Sequence, residues 1–363
     1  ITRLQTANGR LRNTVRPTKS TKKSAQSELT LLTGERAFDV QSQPLISLME
    51  RIVITGSSGY IGRKLVAALQ SKGATVLGID LNLADVDAPD VFHQGDIRDP
   101  ILLDVVRGFE PDTIIHSAFV IKQMRDTAKM ADINVGGTQN FIRIADEVAP
   151  KNFLFFSSAT AMGAWPDNPV PIKEDAAPRG RKEYQYAAEK AALEADMVAL
   201  ANRNPEIAVS WVRPSVVGGP KMDNFLSRFI FGMPLLMKLD GKNHQLQFVH
   251  EDDVVGAIVA ILNANGRGAF NLGPPNHTTL MEIAKHTKRR VISVPFRLAY
   301  SAGWLLWKIR FSLSEGPPGF LYFVRYPWVV APDRLLEEIG YEFRYTSTET
   351  LIESYQHQQQ SMP

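Results

Sequence analysis

The chain has 363 residues, 44% hydrophobic and 22% charged, with a net charge of +3. That length holds two domains or one large α/β domain with a cap, and so even a charge balance gives no reason to expect a nucleic-acid partner. Cysteine is absent, which removes disulfides, thiolate catalysis and cysteine-held zinc, and no apolar run reaches the roughly eighteen residues of a membrane span, so a cytoplasmic protein with no bound metal is expected.

Residues 1–48 are rich in Ser, Thr, Lys and Arg and carry no apolar period. Arg10, Arg12, Arg16, Lys19, Lys22 and Lys23 would suit a basic arm or a transit peptide. The composition favours a disordered basic extension, and Met49 stands where an initiator would sit.

Ile52, Val53 and Ile54 are β-branched and predict a buried strand, and Arg63 to Gln70 has helical periodicity. Between them runs Gly56-x-x-Gly59-x-x-Gly62. A glycine-rich turn from strand to helix lets backbone N–H groups close on a pyrophosphate at the positive end of the helix. Ser58, Tyr60 and Ile61 complete that cradle. The next strand, 74–80, ends in Asp80, whose carboxylate can accept both adenosine ribose hydroxyls and would repel a 2′-phosphate. No Arg or Lys follows over residues 81–87, so NAD is favoured over NADP. A third strand, 91–95, runs into Asp96 and Ile97, which are expected to border the adenine.

Residues 112–119 read as a fourth strand, bringing His116, Ser117 and Ala118 to the crevice, and a long helix spans Ile133 to Val148. A fifth strand ends at Ser157 and Ser158, and a sixth, 207–214, is stopped by Pro214. Beyond it, 224–239 predicts a helix, 246–250 a strand, 252–263 a helix and 268–273 a short strand that could return to the main sheet. Aromatic and basic residues crowd 294–330, as in Trp304-Leu-Leu-Trp307 and Phe320-Leu-Tyr-Phe323. That composition suits a pocket wall, helical core or peripheral contact with a membrane surface.

The alternation of strands and helices predicts an α/β protein built on a doubly wound parallel sheet. Residues 49–214 would form the dinucleotide-binding domain, 215–355 a smaller C-terminal substrate-binding α/β subdomain, and 356–363 a tail. The helix over Arg181 to Glu194 sets Tyr186 and Lys190 four apart on one face. A phenol titrates near pH ~10 and is a poor acid or base at neutrality unless its anion is stabilised. An ammonium ~4 Å away, at an effective dielectric of ~20, would supply about 4 kcal/mol, which brings Tyr186 into working range.

Taken together, the glycine turn, Asp80, Asn134-Val-Gly-Gly-Thr138, Ser157-Ser158-Ala-Thr160 and Tyr186-x-x-x-Lys190 resemble the extended short-chain dehydrogenase/reductases, and more narrowly the NAD-dependent epimerase/dehydratase family. Phe248-Val-His-Glu-Asp252-Asp253 and Phe270-Asn-Leu-Gly273 are similar to that family's later signatures, so the resemblance runs from Met49 to about Tyr355. It implies a Rossmann-type sheet, NAD as cofactor and a homodimer. It further implies Tyr186 as acid/base, Lys190 on the nicotinamide ribose, Ser158 (with Ser157 as fallback) on the substrate oxygen, and Asn134 in a proton path. Paired Asp252 and Asp253 invite a glycosidase reading, but adjacent residues on one turn point apart, and the family uses this turn structurally.

Three departures bear on the substrate. Sugar-nucleotide epimerases of the family carry Arg-Asp or Arg-Glu where this chain has Leu246 and Gln247, and Asn where it has Val216; the Tyr of the following loop is replaced by Gly218. A diphosphate needs cations or donors, and Lys221 and Arg228 are the remaining nearby candidates. The residues therefore favour a secondary alcohol/ketone oxidoreductase acting on a small or lipid-like, steroid-like molecule. A sugar-nucleotide 4-epimerase and a non-catalytic NAD-binding scaffold are the alternatives.

Overall fold

The computed structural model describes residues 50–220, 222, 235–311 and 316–361. The basic stretch 1–48, Lys221, Arg228 and most of the expected helix 224–239 lie outside the described residues.

Strands β1 (Arg51–Thr55), β2 (Thr75–Asp80), β3 (Val91–Gln94), β4 (Thr113–His116), β5 (Asn152–Phe156), β6 (Ala208–Pro214) and β11 (Gly268–Leu272) form one seven-stranded sheet in the order β11-β6-β5-β4-β1-β2-β3. Every pairing is parallel, as in Ile52 opposite Val76 on one side and Thr113 on the other. Successive strand residues face opposite ways, and β1 uses both faces. Ile52 and Ile54 join Leu65, Val254 and Ile258 in one core layer, while Val53 joins Leu77, Ile114 and Phe141 in the other. Burial of each such side chain contributes about 1.5–3 kcal/mol, which is why a continuous apolar run, rather than an alternating one, marks these strands.

Helix α1 (Tyr60–Gln70) follows β1; α2 (Leu102–Phe109), between β3 and β4, goes beyond the expected elements. After β4 come α3 (Thr127–Ala131), capped by the Asp126 side chain, a π-helical turn (Asp132–Gly136) and α4 (Gly137–Val148). Helix α5 (Gln185–Arg203) precedes β6. The sheet reverses strand order between β1 and β4, and in open α/β sheets the ligand crevice opens at such a point, beyond the strands' C-terminal ends.

The rest of the chain is built from short pieces. These are β7 (Val216–Gly218) paired with β10 (Phe248–His250), β9 (Gln245–Leu246) with β12 (Thr278–Thr279), and β8 (Leu235–Leu239) with β13 (Arg290–Val294). Helix α6 (Glu251–Asn263) docks on α1 through Lys64, which reaches Glu251 at 2.7 Å and Asp252 at 2.8 Å. Then follow α7 (Leu280–Thr287), α8 (Phe296–Lys308), a 3₁₀ turn (Pro318–Phe320), α9 (Leu321–Arg325), α10 (Asp333–Glu337) and α11 (Ser347–Ser361). Residues 235–239, expected as the end of a helix, are a strand, because their partner β13 lies more than fifty residues ahead and is invisible to local periodicity. Strand β11 completes the main sheet from beyond Pro214. Among the described residues no helix is long and apolar enough to cross a membrane.

Candidate active site

The glycine turn is fixed by backbone contacts. Gly56 adopts φ +71°, donates its N–H to Ile79 O at 2.9 Å and accepts from Gly59 N at 3.0 Å. A Cβ on Gly56 would stand 2.8 Å from Ala118 N, and one on Gly62 only 2.0 Å from Gly56 O, so neither position tolerates a side chain. No side chain caps α1, which leaves its first N–H groups to a ligand. Asp80 folds back onto the turn: its carboxylate accepts from Ser58 N at 3.0 Å and from Leu81 N at 2.7 Å. The hydroxyls of Ser57, Ser58 and Tyr60 and the Arg63 Nε are buried with no protein partner. Buried polar atoms are ordinarily satisfied, so this cradle suits a polar group such as a dinucleotide pyrophosphate.

Other expected cofactor residues are more committed. Asp96 is bound to Arg98 at 2.5 Å, which holds its carboxyl below the usual range, and Arg98 also reaches Asp132. Ile97 is buried against Gly137, and Ile61 packs on the core. The Ser117 hydroxyl donates to Thr55 O at 2.6 Å, and Ala118 N donates to Thr55 Oγ1 at 3.2 Å. Pro214 ends β6 opposite Leu272. The His116 ring lies between the hydroxyls of Thr55 (2.8 Å) and Thr138 (3.0 Å), stacked on Phe141. Burial, aided by the Lys190 charge, pushes its pKa down to about 3, so His116 stays neutral.

The strand end of β5 separates the two serines. Ser157 donates to Glu194 at 2.5 Å, and Glu194 in turn holds Arg213 in a buried bidentate pair with a closest approach of 2.6 Å. Ser158 accepts from Thr160 N at 3.2 Å and from Thr160 Oγ1 at 2.9 Å, and acts on the Tyr186 phenol by lowering its pKa. Asn134, on the π-helical turn, is fully buried. It accepts from Val120 N at 2.7 Å and donates to Glu189 at 2.8 Å.

Tyr186 and Lys190 share a helix face, as the spacing suggested, with the ammonium near the Tyr186 ring. Lys190 donates to Phe156 O and lies 3.4 Å from the Phe119 ring centre, against 5.8 Å from that of Tyr186. Phe119 meets Tyr186 edge-on at 5.6 Å and so abuts both groups. Burial pushes the Tyr186 phenol up to about 12, opposed by the Ser158 hydrogen bond. Burial likewise pushes the Lys190 ammonium down, opposed by the charges of Glu189 and Glu194. The phenol thus sits above its ordinary value where a fall was expected, because burial outweighs the Ser158 hydrogen bond.

Around Tyr186 the wall is aromatic. Tyr184 lies 5.8 Å from Tyr186 and 5.5 Å from Phe323, and Phe323 meets Trp328 edge-on. Arg181 is clamped between Trp165 and Tyr322 and bound to Glu183 at 3.0 Å; Arg325 is bound to Asp240 at 2.7 Å. Gln247 is buried, with its amide donating to Pro274 O and Val330 O at 2.9 Å and accepting from Val330 N. Asp252 pairs with Lys64, and Asp253 accepts from Tyr341 and the Arg344 and Tyr345 N–H groups, which leaves neither for catalysis.

Glu189, Glu194, Phe119, Thr55 and Arg63 were not anticipated from the sequence. Nothing local marks Glu189 and Glu194, and only the tertiary pairing with Asn134 and Arg213 sets them apart.

Residues 52–273, more than half of the chain, match the NAD dependent epimerase/dehydratase family. An uncharacterized protein of Mycobacterium tuberculosis is 27% identical over 310 residues, covering 82% of this chain and 81% of that protein. UDP-glucuronic acid decarboxylase 2 of Arabidopsis thaliana is 26% identical over 306 residues, covering 74% and 66%. Among solved structures, a Thermus thermophilus UDP-glucose 4-epimerase in complex with NAD superposes with a TM-score of 0.65 at 21% identity, covering 86% of this chain and 100% of that one.

Proposed function

This chain belongs to the NAD dependent epimerase/dehydratase family, and from that premise we propose that it is an oxidoreductase interconverting a secondary alcohol and a ketone on a small, largely apolar molecule. NAD, when bound, supplies the acceptor or donor of the hydride at the carbinol carbon. The glycine turn, the uncapped start of α1 and Asp80 hold the dinucleotide. Ser158 orients the substrate oxygen, and Tyr186 takes or returns its proton at the phenolic oxygen. Lys190, drawn by Glu189 and Glu194, holds the nicotinamide ribose, and Asn134 with Glu189 extends the polar chain behind it.

The observation that carries the substrate class is the wall around Tyr186. It is aromatic; among the described residues Arg181 and Arg325 each already hold a carboxylate, with the buried Nε of each left without a partner, and Gln247 is spent on backbone groups. A diphosphate would have to compete with the carboxylates these two groups already hold. A second reading, a sugar-nucleotide 4-epimerase, is favoured by the UDP-sugar enzymes among the relatives and fold neighbours of this chain.

One experiment separates them. Purified protein with NAD is offered apolar secondary alcohols and, separately, UDP-sugars. Reduced nicotinamide absorbance should rise only with the alcohols. Conversion of a UDP-sugar without net reduction would overturn the first reading and establish the second.

A further inference from the structure

Helix α8 is apolar on two opposite sides, and only one of them is covered. Phe296, Tyr300, Gly303 and Trp307 recur at helical spacing on the inner side. Phe296 is buried with Leu239 and Leu321, Gly303 lies against Pro318, and Arg125 stacks 3.4 Å over Trp307 while donating to its carbonyl at 2.6 Å. Two residues further round, about 200° away, Leu298, Ala302, Leu305 and Ile309 form a second stripe. Leu298 is 62% exposed, Leu305 53% and Ile309 61%, and Trp304, Leu306 and Phe311 beside them are exposed as well. Scattered exposed apolar residues need no explanation, but a contiguous strip along one helix marks a contact surface.

Charge identifies what the strip meets. Over residues 295–311, the helix and its ends, the sequence has Arg297, Lys308 and Arg310 and not one Asp or Glu, in a chain whose 41 basic and 38 acidic residues otherwise nearly balance. Apposing two copies of so cationic a segment would set like charge against like. An anionic lipid surface supplies both complements at once: acyl chains for the leucines, isoleucine and tryptophan, headgroups for the lysine and arginines. Trp304 is the side chain that favours the boundary of such a layer, and Lys308, 4.8 Å from its ring centre, has a stem long enough to keep its ammonium at headgroup level. With thirteen residues, α8 is too short to span a bilayer.

We propose that the outer face of α8 seats the protein on the surface of an anionic phospholipid bilayer, lying in the headgroup layer without crossing it. The inner side of the same helix packs on the Pro318–Phe320 turn that leads to Phe323 and Tyr184, so the helix that docks also backs the aromatic wall.

The test is sedimentation of the full chain with vesicles, which reads binding and not turnover. The chain should pellet with phosphatidylcholine–phosphatidylglycerol vesicles at least about tenfold more tightly than with phosphatidylcholine alone, and added salt should weaken it. The double variant Leu305→Glu, Ile309→Glu should lose this binding while melting at the parent temperature and retaining NAD affinity. Lys308→Glu with Arg310→Glu should weaken it through charge alone. Binding by the Leu305/Ile309 variant equal to the parent's would overturn the proposal by assigning the contact elsewhere, the basic N-terminal stretch included. So would failure of the parent to pellet, with or without a dimer that the same variant dissociates.

Discussion

Tyr186 reaches the crevice because α5 begins at Gln185 and turns its first face toward the end of β5, where Ser158 waits. With its phenol pushed up to about 12, Tyr186 is protonated at neutrality, a state suited to donating to a carbonyl oxygen. Tyr186→Phe should lower turnover about 10²–10⁴-fold, the usual worth of a positioned acid/base, with NAD affinity unchanged by fluorescence titration; retained turnover would remove Tyr186 from the chemistry. His116 gives a prediction about stability. Folding depresses its pKa from 6.5 to about 3. Above pH 6.5 neither state binds the proton and this group costs nothing. As the pH falls toward about 3 only the unfolded chain binds it, so stability drops by about 1.4 kcal/mol per pH unit. Urea titrations of the parent across that window should show this slope, flattened in His116→Gln; identical slopes would mean that other groups carry the acid sensitivity.

At the scale of elements, β6 and α5 are joined by a buried ion pair, Arg213 with Glu194, to which Ser157 is also bound. Removing one partner strands the other, so Arg213→Met should cost about 3–5 kcal/mol in denaturant unfolding, and the double change with Glu194→Leu should recover much of that. A double variant no better than the single one would mean that the pair stabilises more than its isosteric replacement does. The turn from β1 to α1 is sensitive in a different way. Gly62→Ala puts a methyl against Gly56 O, which should cost at least about 1–3 kcal/mol through overpacking and weaken NAD binding; an unperturbed melting temperature and affinity would show that the turn relaxes freely. This strand–turn–helix unit was the most legible part of the chain, since its signals are all local: three β-branched residues, three glycines and one helical period. The strand Leu235–Leu239 was illegible for the converse reason. Its apolar run fits either period, and the pairing with Arg290–Val294 that decides the matter is long-range.

Across the whole molecule, a single parallel sheet brings β1, β2, β4 and β5 to one edge and so assembles the glycine turn, Asp80, Ala118 and Ser158 from stretches spread over about a hundred residues. Strand alternation made that architecture readable, and the four-residue spacing correctly put Tyr186 and Lys190 on one helix. What it could not convey was the environment between them, where Phe119 from another loop abuts both and Lys190 turns to Phe156. Nor could it tell that Arg181 and Arg325 each hold a carboxylate and that Gln247 is tied to backbone groups, because commitment of a side chain is a property of the folded state. Those commitments carry the substrate class. The most direct measurement is therefore transfer of label: an apolar secondary alcohol carrying deuterium on its carbinol carbon is incubated with the full chain and NAD, and the reduced cofactor is weighed by mass spectrometry. The account predicts deuterium in the reduced nicotinamide with the parent, formed about 10²–10⁴-fold more slowly with Tyr186→Phe. Unreduced cofactor with every apolar alcohol offered, alongside epimerisation of a UDP-sugar, would contradict it.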